Sequence, residues 1–252
     1  MCELLGFSSA KPADVRDYLR EFYSHSERHP HGWGLMRENG GHRDIIKENC
    51  KASESIILGD IINGTSPQKN MLAHIRFATV GSIKYENCHP YSAKDLTGRE
   101  WTLIHNGTIF SARDLIKYMN TQKGDTDSER LFLYLMDRVN EVQGQSPLSA
   151  GKRFELVEEI IIKAAPRNKL NLMIFDGELL YVHKNMRDTM RYKHFSDGYI
   201  FSTTALGDDW GDFPMAQLIA FRNGEIVFNG KTHDGIFVPT LEYITAMDAM
   251  NI

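Results

Sequence analysis

"MCELLGFSS", residues 1–9, decides how the rest of the chain is read. A cysteine stands directly behind the initiator methionine. Free cysteine commonly packs as a small hydrophobe, and "ELLGFS" over 3–8 reads as a short strand. On that reading Cys2 is a buried residue near a strand start. A second reading uses the chain terminus. Removal of Met1 is favoured when the next residue is small, and it leaves Cys2 with a free α-amine of pKa about 7.7–8.0. That amine can take the thiol proton directly or through one water. One residue is then nucleophile and base together, as in threonine/N-terminal-amine pairs. Residue 2 alone does not choose between the two readings.

Composition is permissive but excludes some classes. A chain of 252 residues can bury a substantial core. Its 42% hydrophobic and 25% charged residues are ordinary for a globular protein. A formal net charge of -4 gives no electrostatic footprint for nucleic acid. No apolar run approaches the ~18 residues of a membrane helix. The N-terminus has an acid at Glu3 and no long apolar stretch, unlike a signal peptide, so a cytoplasmic location is expected. Cys2, Cys50 and Cys88 are too sparse for a disulfide framework and fit a reducing compartment.

Periodicity predicts the elements. Pro12 is placed in a first helical turn, followed by Val15, Tyr18, Leu19 and Phe22 at i, i+3, i+4 and i+7. "SIILGDII" (55–62), "MLAHIRFAT" (71–79) and "WTLIH" (101–105) read as strands, the last cut by Asn106-Gly107. Helices are predicted from near Ser111, with Leu115, Ile116 and Met119 on one face, and from near Thr126, carrying Leu131, Leu135, Val139 and Val142. Another runs from Arg153 to Ala165 and is stopped by Pro166. The pattern then changes to period two. Hairpins turn at Asp176-Gly177 and Asn223-Gly224, with "YIFSTTAL" (199–206) a strand between them. Strands, then helices, then strands predict one α+β domain over 1–252 with layered sheets and helices. No G-x-G-x-x-G or P-loop pattern follows a strand.

Three stretches carry chemistry. In "AHIRFATVG" (73–81), Arg76 sits in an otherwise apolar strand, where a buried charge needs a partner. It is either an edge residue reaching water or a fork for a substrate carboxylate. "HNGTI" (105–109) is a plain turn, or a turn whose Asn106 amide and Gly107 N–H form an oxyanion hole. In "GDTDSE" (124–129), Thr126 and Glu129 form a capping box. Asp127 either complements the helix dipole or accepts a substrate ammonium. His25, His29 and His31 are spaced as candidate zinc ligands, but Pro30 interrupts them and no H-E-x-x-H is present.

Met-Cys at the N-terminus, "IRFATVG", "HNG" and "TDSE", in that order, resemble the class II glutamine amidotransferases, which are N-terminal-nucleophile (Ntn) hydrolases. "MCELLGFS", "HPHGWG" (29–34) and "AHIR" look most like the stand-alone subgroup without an attached synthase domain. The resemblance implies a four-layer αββα sandwich. It implies Cys2 as nucleophile with its freed amine as base, and Asn106 and Gly107 as the oxyanion hole. Arg76 would bind the glutamine α-carboxylate, helped by Thr79, and Asp127 the α-ammonium. The implied reaction cleaves the γ-amide of glutamine or a γ-glutamyl compound through a glutamyl-thioester, with no cofactor and no metal. Any ammonia would need a synthase subunit as acceptor. The sequence departs from the family pattern at His31, where Asp is usual, at Phe77 and Val80, and at Thr203-Thr204-Ala205. The alternatives are a catalytically degenerate binding member of the family, or a zinc protein using the three histidines.

Overall fold

In the computed structural model, which describes residues 2–39, 42–64 and 66–249, the chain begins with β1 (Glu3–Ala13), α1 (Arg16–Ser24), β2 (Trp33–Asn39), β3 (His42–Glu48), α2 (Ile56–Gly64) and β4 (Gln68–Ile75). It continues with β5 (Tyr91–Lys94), β6 (Glu100–Thr108), α3 (Asp127–Gln143) and α4 (Ala150–Ala164). It finishes with β7 (Lys169–Phe175), β8 (Leu180–His183), β9 (Arg191–Phe195), β10 (Gly198–Ser202), β11 (Gly211–Asp212), β12 (Ile219–Arg222), β13 (Glu225–Asn229) and α5 (Leu241–Ala249). One sheet has the order β11-β9-β10-β1-β4-β2-β3, the other β13-β12-β8-β7-β6-β5. Strand neighbours run antiparallel in both.

Alternation along the strands sets the layers, because successive side chains leave a strand on opposite faces. In the first sheet, Leu5, Phe7, Leu35, Ala73 and Ile75 pack against Leu19 and Phe22 of α1 and Leu58 and Ile62 of α2. Their neighbours Leu4, Met36 and Leu72 instead meet Ile104, Met173, Phe175 and Val182 of the second sheet. The far face of that sheet, with Leu103, Leu172 and Ile174, packs under Leu131, Leu135 and Val139 of α3 and Val157, Ile160 and Ile161 of α4. The order helix, sheet, sheet, helix is the αββα sandwich of Ntn type, α+β in class. Each of the larger buried side chains among these (Leu, Ile, Val, Met and Phe) contributes roughly 1.5–3 kcal/mol of burial.

Several local expectations change. "SIILGDII" is the helix α2, not a strand. Leu58 and Ile62, four residues apart, are buried, while Ile56 and Ile57 face solvent. The Ser55 hydroxyl accepts the Leu58 N–H at 3.0 Å and caps its start. Pro12 lies inside β1, and Val15 is the N-cap of α1. Asn106-Gly107 makes no turn, since β6 continues through both to Thr108 and pairs them with Asn171 and Leu170 of β7. Glycine is needed at 107 because a Cβ there would collide with the Lys169 carbonyl. The segment after Ser111 is a 3₁₀ helix, Arg113–Asn120, with Leu115 and Tyr118 inward and Ile116 and Met119 exposed. That i, i+3 spacing is the 3₁₀ repeat. Val142, at the end of α3, is also exposed. Thr126 does cap α3 by accepting the Glu129 N–H at 3.2 Å. The Glu129 carboxylate, however, accepts the N–H groups of Lys123 and Gly124 instead of closing the box. α4 and both hairpins follow expectation, and Asn223 and Gly224, with φ of 51° and 75°, have the positive pair a type I′ turn requires. No helix among the described residues is long and apolar enough to cross a membrane.

Candidate active site

The inner faces of the central strands change character at one end of the sandwich. Along β7 the inward residues run Phe175, Met173, Asn171, Lys169, and along β6 Ile104 is followed by Asn106. One residue before β1, Cys2 continues the face of Leu4. On β4, His74 and then Arg76 continue the face of Leu72, and Leu4 stands opposite His74. Arg76 is one residue past β4, but its N–H still donates to Gly32 O at 2.8 Å. The apolar core therefore ends in a polar rim. The rim borders a cavity of about 360 Å³ whose lining includes Cys2, Asn106, Lys169, Glu3, Arg28 and Thr203.

Cys2 Sγ lies 3.4 Å from both the N and the O of Phe77, accepting from the first and donating to the second. Burial pushes the thiol pKa up; the Phe77 hydrogen bond and the nearby Arg76 and Lys169 cations push it back down. Thr203 Oγ1 accepts the Leu4 N–H at 2.7 Å and ties the end of β10 beside the thiol. Asn106 is buried, and its Oδ1 accepts a hydrogen bond from Lys169 Nζ at 3.1 Å. Gly107 follows it in β6.

Arg76 is 3% exposed and divides its work. Nη2 donates to the carbonyls of Val80 and Gly81, both at 3.3 Å, and so holds the loop that carries Thr79. Nη1 is buried without a hydrogen-bond partner among the described residues. Asp127 is buried in the first turn of α3, where Oδ2 accepts the Ile109 N–H at 2.6 Å. It borders a second hollow of about 280 Å³ with Ile109, Phe110 and Arg130. Of the six residues expected from sequence, Cys2 and Asn106 thus share one cavity and Gly107 adjoins Asn106. Arg76 stands just past β4 and holds the loop that carries Phe77, on which Cys2 rests, and Thr79, and Asp127 opens to a second hollow.

A sequence profile of the class-II glutamine amidotransferases matches residues 1–196. The chain belongs to this family. It is 30% identical over 263 residues to the uncharacterized protein MJ1515 of Methanocaldococcus jannaschii, a match covering 92% of this chain and 72% of that one. A Pseudomonas aeruginosa structure described as a "predicted glutamine amidotransferase" has the same fold, with TM-score 0.63 and 19% identity over 90% of this chain and 100% of that one. So does glutamine phosphoribosylpyrophosphate amidotransferase from B. subtilis, with TM-score 0.66 and 16% identity over 93% of this chain and 50% of that one.

In this member of the family the three candidate zinc ligands do not converge. His25 Nδ1 lies 2.8 Å from Glu3 Oε2, and that hydrogen bond raises the His25 pKa. His29 Nδ1 lies 2.8 Å from the His25 carbonyl, and His31 Nδ1 accepts the Ala78 N–H at 2.9 Å. Among the described residues no three His, Cys, Asp or Glu side chains form a group that could hold a metal ion. The zinc reading is therefore corrected, and His31 instead braces the loop beneath Cys2. Sequence reasoning missed Lys169. Burial lowers its pKa to about 7, partly countered by the nearby Cys2. The signal was present in "KLNLMIF" (169–175), whose period two places Lys169 on the face of Met173 and Phe175.

Proposed function

We propose that this chain hydrolyses the γ-amide of glutamine, or of a larger γ-glutamyl compound, through a glutamyl-thioester on Cys2. The observation that carries this reading is the convergence of the Cys2 thiol and the Asn106 carboxamide on one cavity at the open end of the inter-sheet core. Met1, whose removal the mechanism requires, lies outside the described residues. Once Met1 is removed, the Cys2 α-amine takes the thiol proton and sulfur attacks the γ-carbonyl carbon. The oxyanion accepts hydrogen bonds from the Asn106 side-chain amide and the Gly107 N–H. The intermediate collapses with cleavage of the C–N bond, the α-ammonium gives its proton to the leaving nitrogen, and ammonia or an amine departs. Water, deprotonated by the same amine, then cleaves the thioester, releasing glutamate and restoring the thiol.

The family supplies glutamine as the substrate class. Arg76 and Asp127 suit the α-carboxylate and α-ammonium of the glutamyl group, opposite charges for a zwitterion. Residues 1–252 are read as one amidotransferase unit, with a separate synthase subunit as acceptor of any ammonia. The three cysteines are free, which suits a reducing cytoplasm. The test is glutamate release from glutamine and a panel of γ-glutamyl peptides, paired with intact-mass measurement of the protein. Turnover should track the fraction lacking Met1. Full turnover by protein that retains Met1 would sink the amine-as-base mechanism, and no turnover by processed protein would favour a binding role.

A further inference from the structure

A side-chain amide reads its surroundings through two unlike ends, and turning it by 180° exchanges a donor for an acceptor. An oxyanion hole built on Asn106 works only if Nδ2 faces the reacting carbonyl. If Oδ1 faced it instead, two oxygens would repel each other where negative charge develops. Something must therefore fix the amide. Lys169 lies across the β6–β7 ladder from Thr108, which makes it a diagonal neighbour of Asn106 on the inner face. Its Nζ is 3.1 Å from Asn106 Oδ1. In its protonated form, which the nearby Cys2 favours, it has three donors and no acceptor, so that form engages only the oxygen end.

Apolar packing alone does not account for the placement. The next inward positions along β7 past Asn171 are Met173 and Phe175, part of the apolar core between the sheets. Lys169 itself is 0% exposed. Burying an ammonium is costly, and a residue such as methionine would fill the site without that cost.

We propose that Lys169 is a positioning residue that holds the Asn106 carboxamide with Oδ1 turned away from the reacting centre, leaving the Nδ2 hydrogens for the oxyanion beside Cys2. The inference rests on the hydrolytic reading above. Lys169 acts through Asn106, so its effect belongs to the transition state and appears in kcat, not in KM. Loss of an oxyanion donor costs about 10²–10³ in rate. An amide free to turn over should lose a part of that, about 10- to 100-fold.

The experiment is a double-mutant cycle on processed enzyme, with glutamine as substrate and glutamate release as the readout. Lys169→Met should lower kcat about 10- to 100-fold and leave KM within about two-fold. Lys169→Gln, which keeps a donor near Oδ1, should recover part of the loss. In an Asn106→Ala background, Lys169→Met should change kcat by less than about two-fold, because its route to the reaction is already gone. Equal losses in both backgrounds would show that Lys169 acts independently of Asn106 and would overturn the inference. So would a Lys169→Met enzyme with normal kcat. If Asn106→Ala itself leaves kcat unchanged, the hydrolytic site assignment fails and takes this inference with it. If Asn106→Ala is slow while Lys169→Met is normal, only the inference fails. Thermal melts of each variant separate these outcomes from misfolding.

Discussion

Arg76 gives the sharpest test of substrate recognition, because its two terminal nitrogens have different surroundings. Nη2 is occupied by the Val80 and Gly81 carbonyls, whereas Nη1 is buried with no partner among the described residues. A buried, unsatisfied guanidinium N–H is costly in the empty protein, and a substrate carboxylate would satisfy it. Arg76→Lys keeps the positive charge but cannot hold the loop and a carboxylate at once, since the ammonium lacks the planar fork. A hydrogen bond to a charged group is worth about 1.5–3 kcal/mol. At about 1.4 kcal/mol per factor of ten, KM for glutamine should rise about 10- to 150-fold. The assay is steady-state glutaminase kinetics, run in parallel on glutamine and on glutamine lacking its α-carboxylate (4-aminobutanamide). The substitution should penalise glutamine heavily and change the carboxylate-free amide little. Equal losses on the two substrates would mean that Arg76 only braces the loop under Cys2, and the carboxylate role would be refuted. An unchanged KM for glutamine would refute it as well.

Three further outcomes are expected. Cys2→Ala should abolish glutamate release with an unchanged thermal melt, whereas Cys50→Ala and Cys88→Ala should retain it; substantial hydrolysis by Cys2→Ala would remove the nucleophile from the scheme. Asp127→Asn should raise KM for glutamine more than for glutaramate, which lacks the α-amine, and equal effects on both would argue that Asp127 merely holds the Ile109 N–H. Burial also lowers the pKa values of His74, His89 and His105. The unfolded chain takes up protons at these positions near pH 6.5 and the folded chain only at lower pH, so stability should fall below about pH 6.5 by up to ~1.4 kcal/mol per pH unit for each. His74→Leu should remove one such increment from the slope of urea-melt stability between pH 6 and pH 5, and an unaltered slope would show that His74 titrates normally in the fold.

What the sequence made legible was local. α4 and the two hairpins are written in short-range patterns: apolar residues three and four apart, or Asp-Gly and Asn-Gly between alternating runs. α2 was misread because two of its isoleucines, Ile56 and Ile57, face solvent. They supply β-prone composition without marking a buried strand, and nine residues are too few for period to overrule composition. Asn106-Gly107 was misread for the opposite reason. Asn-Gly is a strong turn signal on its own. The partner that keeps these residues extended is β7, some sixty residues further along the chain, and no local pattern encodes it. The capping box failed halfway, because the backbone N–H groups that Glu129 accepts lie in the preceding loop and not at the N-cap.

The candidate site was legible as an ordered set of motifs, but not as a surface. Period two says that Lys169, Asn171, Met173 and Phe175 share a face. It does not say whether that face meets the helices or the other sheet, and only the second arrangement brings Lys169 to Asn106. Register supplies the missing information. Leu4 opposite His74 and Leu5 opposite Ala73 fix β1 against β4, so Cys2 falls on the inner face beside Arg76. A slip of one residue would turn Cys2 toward α1 and α2 and put Glu3 between the sheets. The register is held by burial on both sides, because Leu5 and Phe7 are committed to the helix layer while Leu4 is committed to the sheet interface. The apolar residues of "MCELLGFSS" therefore aim the cysteine. The same alternation that builds the sandwich leaves residue 2 at the edge of its core, where the thiol is held by Phe77 and lines the cavity.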